Sequence, residues 1–322
     1  MTRYASRQSV LLGLIGQDIQ GSRSPEMHMR EGEAQGLRLV YRLIDLTRLG
    51  LGVEALPELL TGAERAGFDG LNITHPCKQA VIPHLTELSD DARALGAVNT
   101  VLFRDGKRIG HNTDWSGFAE PFRRNMSDVP LDRVVQIGAG GAGAAVAHAA
   151  LMLGVKELTV FDIDLKRAES VAANLSRHFG PGRTKAGGEL PAAIRQADGL
   201  INATPIGMDA HPGMPLPAEL LRPDLWVAEI IYFPLETELL RRARALGART
   251  IDGGGMAVFQ AVAAFRLFTG IEPDSDRMLA HFTRMEAALT WATPRIDAES
   301  RVPALVNGPE EQADGATSER SR

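Results

Sequence analysis

Three polar clusters stand at the ends of short apolar runs. Asn72 to Lys78 closes one run, Ala97 to Thr100 opens another, and His111 to Asp114 closes a third. Ligands of α/β folds sit at strand ends, so chemistry is expected at these clusters. Lys78 and Asp114 form a candidate acid/base pair. A lysine amine exchanges a proton with a hydroxyl, while a neighbouring carboxylate orients the ammonium and stabilises its charge. On spacing alone the same two residues also fit a surface salt bridge or two helix caps, because lysine–aspartate combinations are common.

A second constellation is Gly138-Ala139-Gly140-Gly141-Ala142-Gly143, which fits G-x-G-x-x-G. In that motif the first glycine permits a tight strand-to-helix turn, the second admits a pyrophosphate, and the third lets helix and strand pack closely. The helix N-terminus behind it offers unpaired N–H groups to phosphate. The motif alone is weak; here a strand precedes it, a helix follows, and an acid ends the next strand. That acid, Asp162, is placed to accept hydrogen bonds from adenosine ribose hydroxyls and to repel a 2′-phosphate, which favours NAD over NADP. The bland alternative is that Asp162 or Asp164 caps the helix starting near Leu165. Arg167 either lies against the adenine or accommodates a phosphate.

These residues need strands and helices to hold them. Apolar runs at 10–16, 39–46 and 68–74 read as strands, and residues 98–112 as a hairpin around Asp105-Gly106. Ser24-Pro25 reads as an N-cap followed by proline at the first helical position. A helix beginning near Asp114 leads into a second half, where strands are expected at 132–137, 157–164, 199–207 and 225–232. Residues 255–270 read as a long apolar helix that returns to the first half, and 296–322 as a polar, disordered tail.

Composition sets the outer limits. A chain of 322 residues with 44% hydrophobic and 23% charged residues is globular and of about two domains. The net charge of -5 argues against nucleic-acid binding. No apolar run approaches the ~20 residues of a membrane span, and the N-terminus lacks a signal-peptide core, so a cytoplasmic protein is expected. The single cysteine, Cys77, excludes an intramolecular disulfide, and no histidine pair stands at metal-ligand spacing, so no metal is expected.

Taken together, the motifs resemble the shikimate/quinate dehydrogenase family from about residue 10 to residue 285. The resemblance is carried, in order, by Ser22-Arg23-Ser24-Pro25, Asn72 to Lys78, Gly96 to Thr100, and Asn112-Thr113-Asp114. The glycine loop, Asn202-Ala203-Thr204-Pro205, and Asp252-Gly253 with Gln260 follow. It implies an α/β protein with an N-terminal substrate domain over 1–113 and a Rossmann doubly wound NAD-binding domain over 114–256. Helices from about 257–295 would return to the first domain. It further implies reversible oxidation of the C3 hydroxyl of shikimate or quinate, with Lys78 as acid/base and Asp114 its partner. Ser22 and Ser24 would bind the substrate carboxylate, with Tyr232 nearby; Thr74, Asn99 and Gln260 would hold ring hydroxyls. Thr204, Pro205, Ile206 and Met208 would line the cofactor, and the backbone around Ile230 and Gly253 would approach its nicotinamide.

The pattern around His75, Pro205 to Met208 and Glu236 to Leu240 looks closer to the NAD-using quinate/shikimate branch. Trp115 stands where the family usually has a small residue and is expected to pack between domains. Cys77 reads as a buried small residue rather than a nucleophile. Gly253-Gly254-Gly255 suggests a pocket enlarged for quinate's extra hydroxyl or for an amino-substituted analogue. Two other readings stay open: an enzyme for a related ring acid such as aminoshikimate, and a non-catalytic regulator that binds a ring acid. The partner is a small cyclic hydroxy acid in each case, and the protein is expected to be a monomer or homodimer.

Overall fold

A computed structural model describes residues 9–292; the tail expected over 296–322 lies outside that range. The first apolar run forms β1 (Ser9–Gly16), with Leu12 and Ile15 fully buried. After α1 (Ser24–Ala34), β2 (Arg38–Asp45) opens with alternating exposed and buried residues, as befits a strand at a sheet edge. Helices α2 (Leu46–Leu49) and α3 (Leu56–Arg65) lead to β3 (Gly70–Ile73), which is shorter than the run that announced it and buried throughout. Then come α4 (Cys77–Ala80), β4 (Glu87–Leu88), α5 (Asp90–Leu95) and the hairpin of β5 (Thr100–Arg104) and β6 (Lys107–His111). Asp105 and Gly106 both take positive φ, 52° and 71°, which suits the two-residue hairpin turn that an Asp-Gly pair predicts.

The first sheet has the order β2-β1-β3-β5-β6-β4. β1 runs parallel to β2 and β3, whereas β5 is antiparallel to both of its neighbours. Helix α6 (Asp114–Asn125) then carries the chain to a second sheet. Its elements are β7 (Arg133–Ile137), α7 (Gly141–Met152), β8 (Glu157–Phe161), α8 (Leu165–Phe179), β9 (Thr184–Ala186), α9 (Leu190–Arg195), β10 (Gly199–Asn202), β11 (Trp226–Glu229), α10 (Glu238–Ala245) and β12 (Thr250–Ile251). All pairings are parallel, in the order β12-β11-β10-β7-β8-β9. This is the doubly wound arrangement, and its strand order reverses between β7 and β10, the place where ligands of such folds bind.

Helix α11 (Gly254–Thr269) turns back from the second sheet to the first. Its Ala264, Phe265 and Phe268 share one core cluster with Val10, Leu12, Leu14 and Tyr41. Along the way it lies against α6 so closely that a Cβ on Gly117 would fall 2.9 Å from the Gln260 Cβ. Helix α12 (Ser275–Ala292) is tied to α1 through Arg277, 2.6 Å from the buried carboxylate of Glu31. Trp115 packs on the core of the second sheet, edge-on to His148, which stands 3.6 Å from Asp91 of α5. Cys77 is completely buried in the core of the first sheet.

One local expectation fails. Arg23 already has helical backbone angles (φ -84°, ψ -10°), so α1 begins at Ser24 rather than after it. Ser24 therefore makes no capping bond, and Pro25 is the second helical residue.

Candidate active site

The ends of β1 and β3 are drawn together. Thr74 N–H donates to the Ile15 carbonyl at 2.9 Å, Gln17 N–H donates to that of His75 at 3.0 Å, and a Cβ on Gly16 would meet the Thr74 methyl at 2.3 Å. The segment leading to Ser22 and Ser24 thus leaves from beside the Thr74 to Lys78 turn. Both serines are partly buried, and Ser22 Oγ accepts from Ser24 N–H at 3.3 Å.

Cys77 is anchored in the core, and its neighbour Lys78 reaches the first residue of α6. Lys78 Nζ lies 2.6 Å from Asp114 Oδ2, with 22% and 9% of the two side chains exposed. With so little of either side chain exposed, the pair is largely shielded from water. The other carboxylate oxygen accepts from Asn99 Nδ2 at 2.8 Å. The Asn99 amide also donates to Thr113 Oγ1 at 3.0 Å, and its oxygen accepts from Thr113 N–H at 2.8 Å. Both amide hydrogens of Asn99 are therefore engaged in fixing Asp114 and the turn before it. Behind it, Tyr41 Oη donates to Asn72 Oδ1 at 2.8 Å, and Asn72 donates on to the Asn99 carbonyl and Thr100 Oγ1. Gln260 sits on α11 against Gly117, one turn along α6 from Asp114.

The glycine loop fits a dinucleotide. Gly138 has φ +102°, and a Cβ there would stand 2.4 Å from the Ala203 carbonyl oxygen; one on Gly143 would stand 2.4 Å from that of Gly138. Only glycine fits at these two positions. Over Gly140 and Gly141, by contrast, a Cβ would enter open space. Helix α7 starts there with no acidic residue in its first turn, leaving its amides for an anion. Ala139 and Ala142 complete the loop, and Gln136 supports it by donating to the carbonyls of Gly138 and Gly143, both at 2.8 Å. Asp162 lies beside the loop. Its Oδ2 accepts from Ala139 N–H at 2.7 Å and its Oδ1 from Asp164 N–H at 2.9 Å. Asp164 caps α8 by accepting from Lys166 N–H, the bland role foreseen for it. Arg167 is exposed, 3.8 Å from Asp162.

Across the reversal of strand order, Thr204, Pro205, Ile206 and Met208 follow β10, while Ile230 and the half-exposed Tyr232 follow β11. A residue missed in the sequence underlies both segments: Glu229, the last residue of β11, 1% exposed. It is held by Asn202, Thr237 and the N–H groups of Ile230 and Ile231. The only signal of it in the sequence is a charged residue inside the apolar run 225–231.

The three-glycine reading is corrected. A Cβ on Gly253 would meet the Ile230 carbonyl oxygen at 2.3 Å, one on Gly254 the Leu235 side chain at 2.9 Å, and one on Gly255 Pro121 at 2.7 Å. The glycines exist for close packing of neighbouring segments and do not enlarge a pocket. Among the described residues, no three His, Cys, Asp or Glu side chains gather as metal ligands, and no helix is long and apolar enough to cross a membrane.

Known proteins share this layout. The sequence profile of the shikimate dehydrogenase substrate binding domain matches residues 14–101, and that of the shikimate 5'-dehydrogenase C-terminal domain matches residues 253–281. A shikimate dehydrogenase (NADP(+)) of Streptomyces avermitilis is 61% identical over 282 residues, 87% of this chain and 97% of its own. A quinate/shikimate dehydrogenase (NAD(+)) of Corynebacterium efficiens is 51% identical, over 86% of this chain and 99% of its own. The solved structure of quinate dehydrogenase from Corynebacterium glutamicum in complex with NAD superposes with a TM-score of 0.83 at 48% identity, over 86% of this chain and all of that one.

Proposed function

Because the chain belongs to the shikimate dehydrogenase family and is a shikimate/quinate dehydrogenase, we propose that it oxidises the C3 hydroxyl of shikimate, quinate or both, reversibly and with NAD. The observation that carries this reading is the Lys78–Asp114 pair, 2.6 Å apart at the start of the helix that joins the two sheets. In the oxidative direction the Lys78 amine takes the hydroxyl proton, and Asp114 stabilises the ammonium formed; in reduction the proton returns. When bound, the nicotinamide ring supplies hydride acceptance and donation. Ser22 and Ser24 bind the substrate carboxylate, with Tyr232 nearby, Thr74 and Gln260 orient the ring hydroxyls, and Asn99 holds Asp114 in place beside them. We divide the chain accordingly into a substrate domain of residues 1–113, to which α11 returns, and a dinucleotide domain of residues 114–256.

Asp162 supports NAD. Each of its oxygens accepts one backbone N–H, which leaves lone pairs for ribose hydroxyls. A 2′-phosphate would face that carboxylate and Asp164, with the exposed Arg167 as partial compensation. NADP is the second reading, favoured by the name of the Streptomyces relative. The test is nicotinamide absorbance with shikimate and quinate, each offered with NAD and with NADP. The expected result is reduction of NAD by at least one acid, with a higher kcat/KM than NADP. Higher kcat/KM with NADP would reverse the cofactor assignment, and reduction of neither coenzyme would overturn the reading.

A further inference from the structure

Glu229 carries a burden that the proton-transfer pair does not explain. It is a carboxylate without a cationic partner among its hydrogen bonds. Oε1 accepts from Ile230 N–H at 2.9 Å, Ile231 N–H at 3.2 Å and Asn202 Nδ2 at 3.1 Å; Oε2 accepts from Asn202 Nδ2 at 2.9 Å and Thr237 Oγ1 at 3.2 Å. Burial pushes the carboxyl up to about 7, although the hydrogen bonds from these donors pull the other way. A neutral glutamine of the same shape would be less costly to bury, so the second acceptor oxygen is what the site requires.

The donors come from three pieces of the chain: Asn202, the pair Ile230 and Ile231, and Thr237. Asn202 ends β10, and its amide also donates to the Ile206 carbonyl at 3.1 Å, while its oxygen accepts from Thr204 N–H and Oγ1 at 3.1 and 2.7 Å. Thr237 caps α10 by accepting from Leu240 N–H. Between the two, Gly207, at φ +118°, backs onto Ile231 and Thr237 closely enough that a Cβ would meet them at 3.1 and 3.3 Å. Finally, Gly253 N–H donates to the Ile231 carbonyl at 3.2 Å.

We infer that Glu229 is a positioning residue for the nicotinamide half of the cofactor site, clamping residues 203–208 to residues 230–237 through Asn202 and Thr237. The inference rests on the dinucleotide-binding reading above. It separates two halves of one site: the glycine loop and Asp162 grip the adenosine and phosphates without Glu229, whereas the ring's wall depends on it.

Glu229→Gln tests this, because it keeps the shape but turns one acceptor oxygen into a donor facing other donors. NADH affinity, read by its fluorescence on binding, should fall about 10-fold, as for loss of a charge-assisted hydrogen bond. Binding of ADP-ribose, which lacks the ring, should stay within about two-fold, since its contacts lie apart from the change. Thr237→Val removes one donor, along with the cap of α10, and should produce the same split at roughly 3-fold, which keeps the test open if the first variant does not fold. Equal weakening of NADH and ADP-ribose, or no weakening of NADH in either variant, overturns the inference. Failure of the unaltered enzyme to bind NADH or to reduce either coenzyme would instead strike the dehydrogenase reading, and this inference with it.

Discussion

The proton transfer proposed for Lys78 requires its carboxylate partner to stay in place, and three contacts hold Asp114. Its N–H donates to Asn112 Oδ1 at 3.0 Å, one oxygen is bound by Asn99, and the other meets Lys78. Lys78→Ala should lower kcat by at least ~100-fold, the lower end of the range for losing an acid/base group. Substrate affinity should fall less, because the proposed carboxylate and ring contacts do not involve the amine alone. Steady-state kinetics decides this, and a change confined to KM would count against the assigned role. Asp162→Ala should raise the KM for NAD and narrow its lead over NADP; an unchanged ratio of the two kcat/KM values would refute its part in cofactor choice. That Lys78 meets Asp114 and that Asp162 lies beside the glycine loop was foreshadowed by chemical type together with the family motifs, since spacing alone left a surface salt bridge or helix caps open. Glu229 was not, since its role exists only once Asn202 and Thr237, on separate segments, converge upon it. Asn99 was legible as a polar residue in the right place, yet its engagement with Asp114 and Thr113 needed coordinates.

At the scale of elements, period and punctuation read well. The run 165–179 is the whole of α8, with Asp164 before it as cap and Gly180 after it as stop. The start of α1 read less well, because Ser24-Pro25 carries the letters of a cap while the backbone at Arg23 is already helical. Within α1, His28 is fully buried against Tyr41, with Nδ1 2.9 Å from the Ser24 carbonyl oxygen. Burial lowers its pKa from 6.5 to about 4, although the carbonyl bond opposes the shift. Its folded-state pKa is depressed, so its contribution is complete above 6.5 and is lost as pH falls towards about 4. The shift corresponds to on the order of 3 kcal/mol at full protonation. Thermal melting across that window should show a steeper fall for the native chain than for His28→Gln, which has no proton to gain. Parallel curves would remove His28 as the cause.

Taken as a whole, the molecule is two sheets spanned by α6 and α11, and these two helices carry Asp114 and Gln260. They pack closely at Gly117, where a Cβ would meet the Met256 carbonyl oxygen and the Gln260 Cβ, each at 2.9 Å. Gly117→Val should force the pair apart, costing about 1–3 kcal/mol of stability as overpacking does. It should also lower kcat and raise the substrate KM together, because both helices bear site residues. Melting and kinetics on one preparation test this; a stability loss with intact kinetics would show that helix spacing does not set the site. The sequence announced both helices, but not that they touch, since a contact between residues 117 and 260 leaves no periodic trace. The sole thiol supplies a different kind of readout. Cys77 is 0% exposed, and burial pushes it up to about 11, so neither reagent access nor a thiolate is at hand while the first sheet's core is closed. Disulfide-exchange dyes will therefore colour only molecules caught opening, and their rate becomes a clock for the breathing of the lobe that holds Lys78.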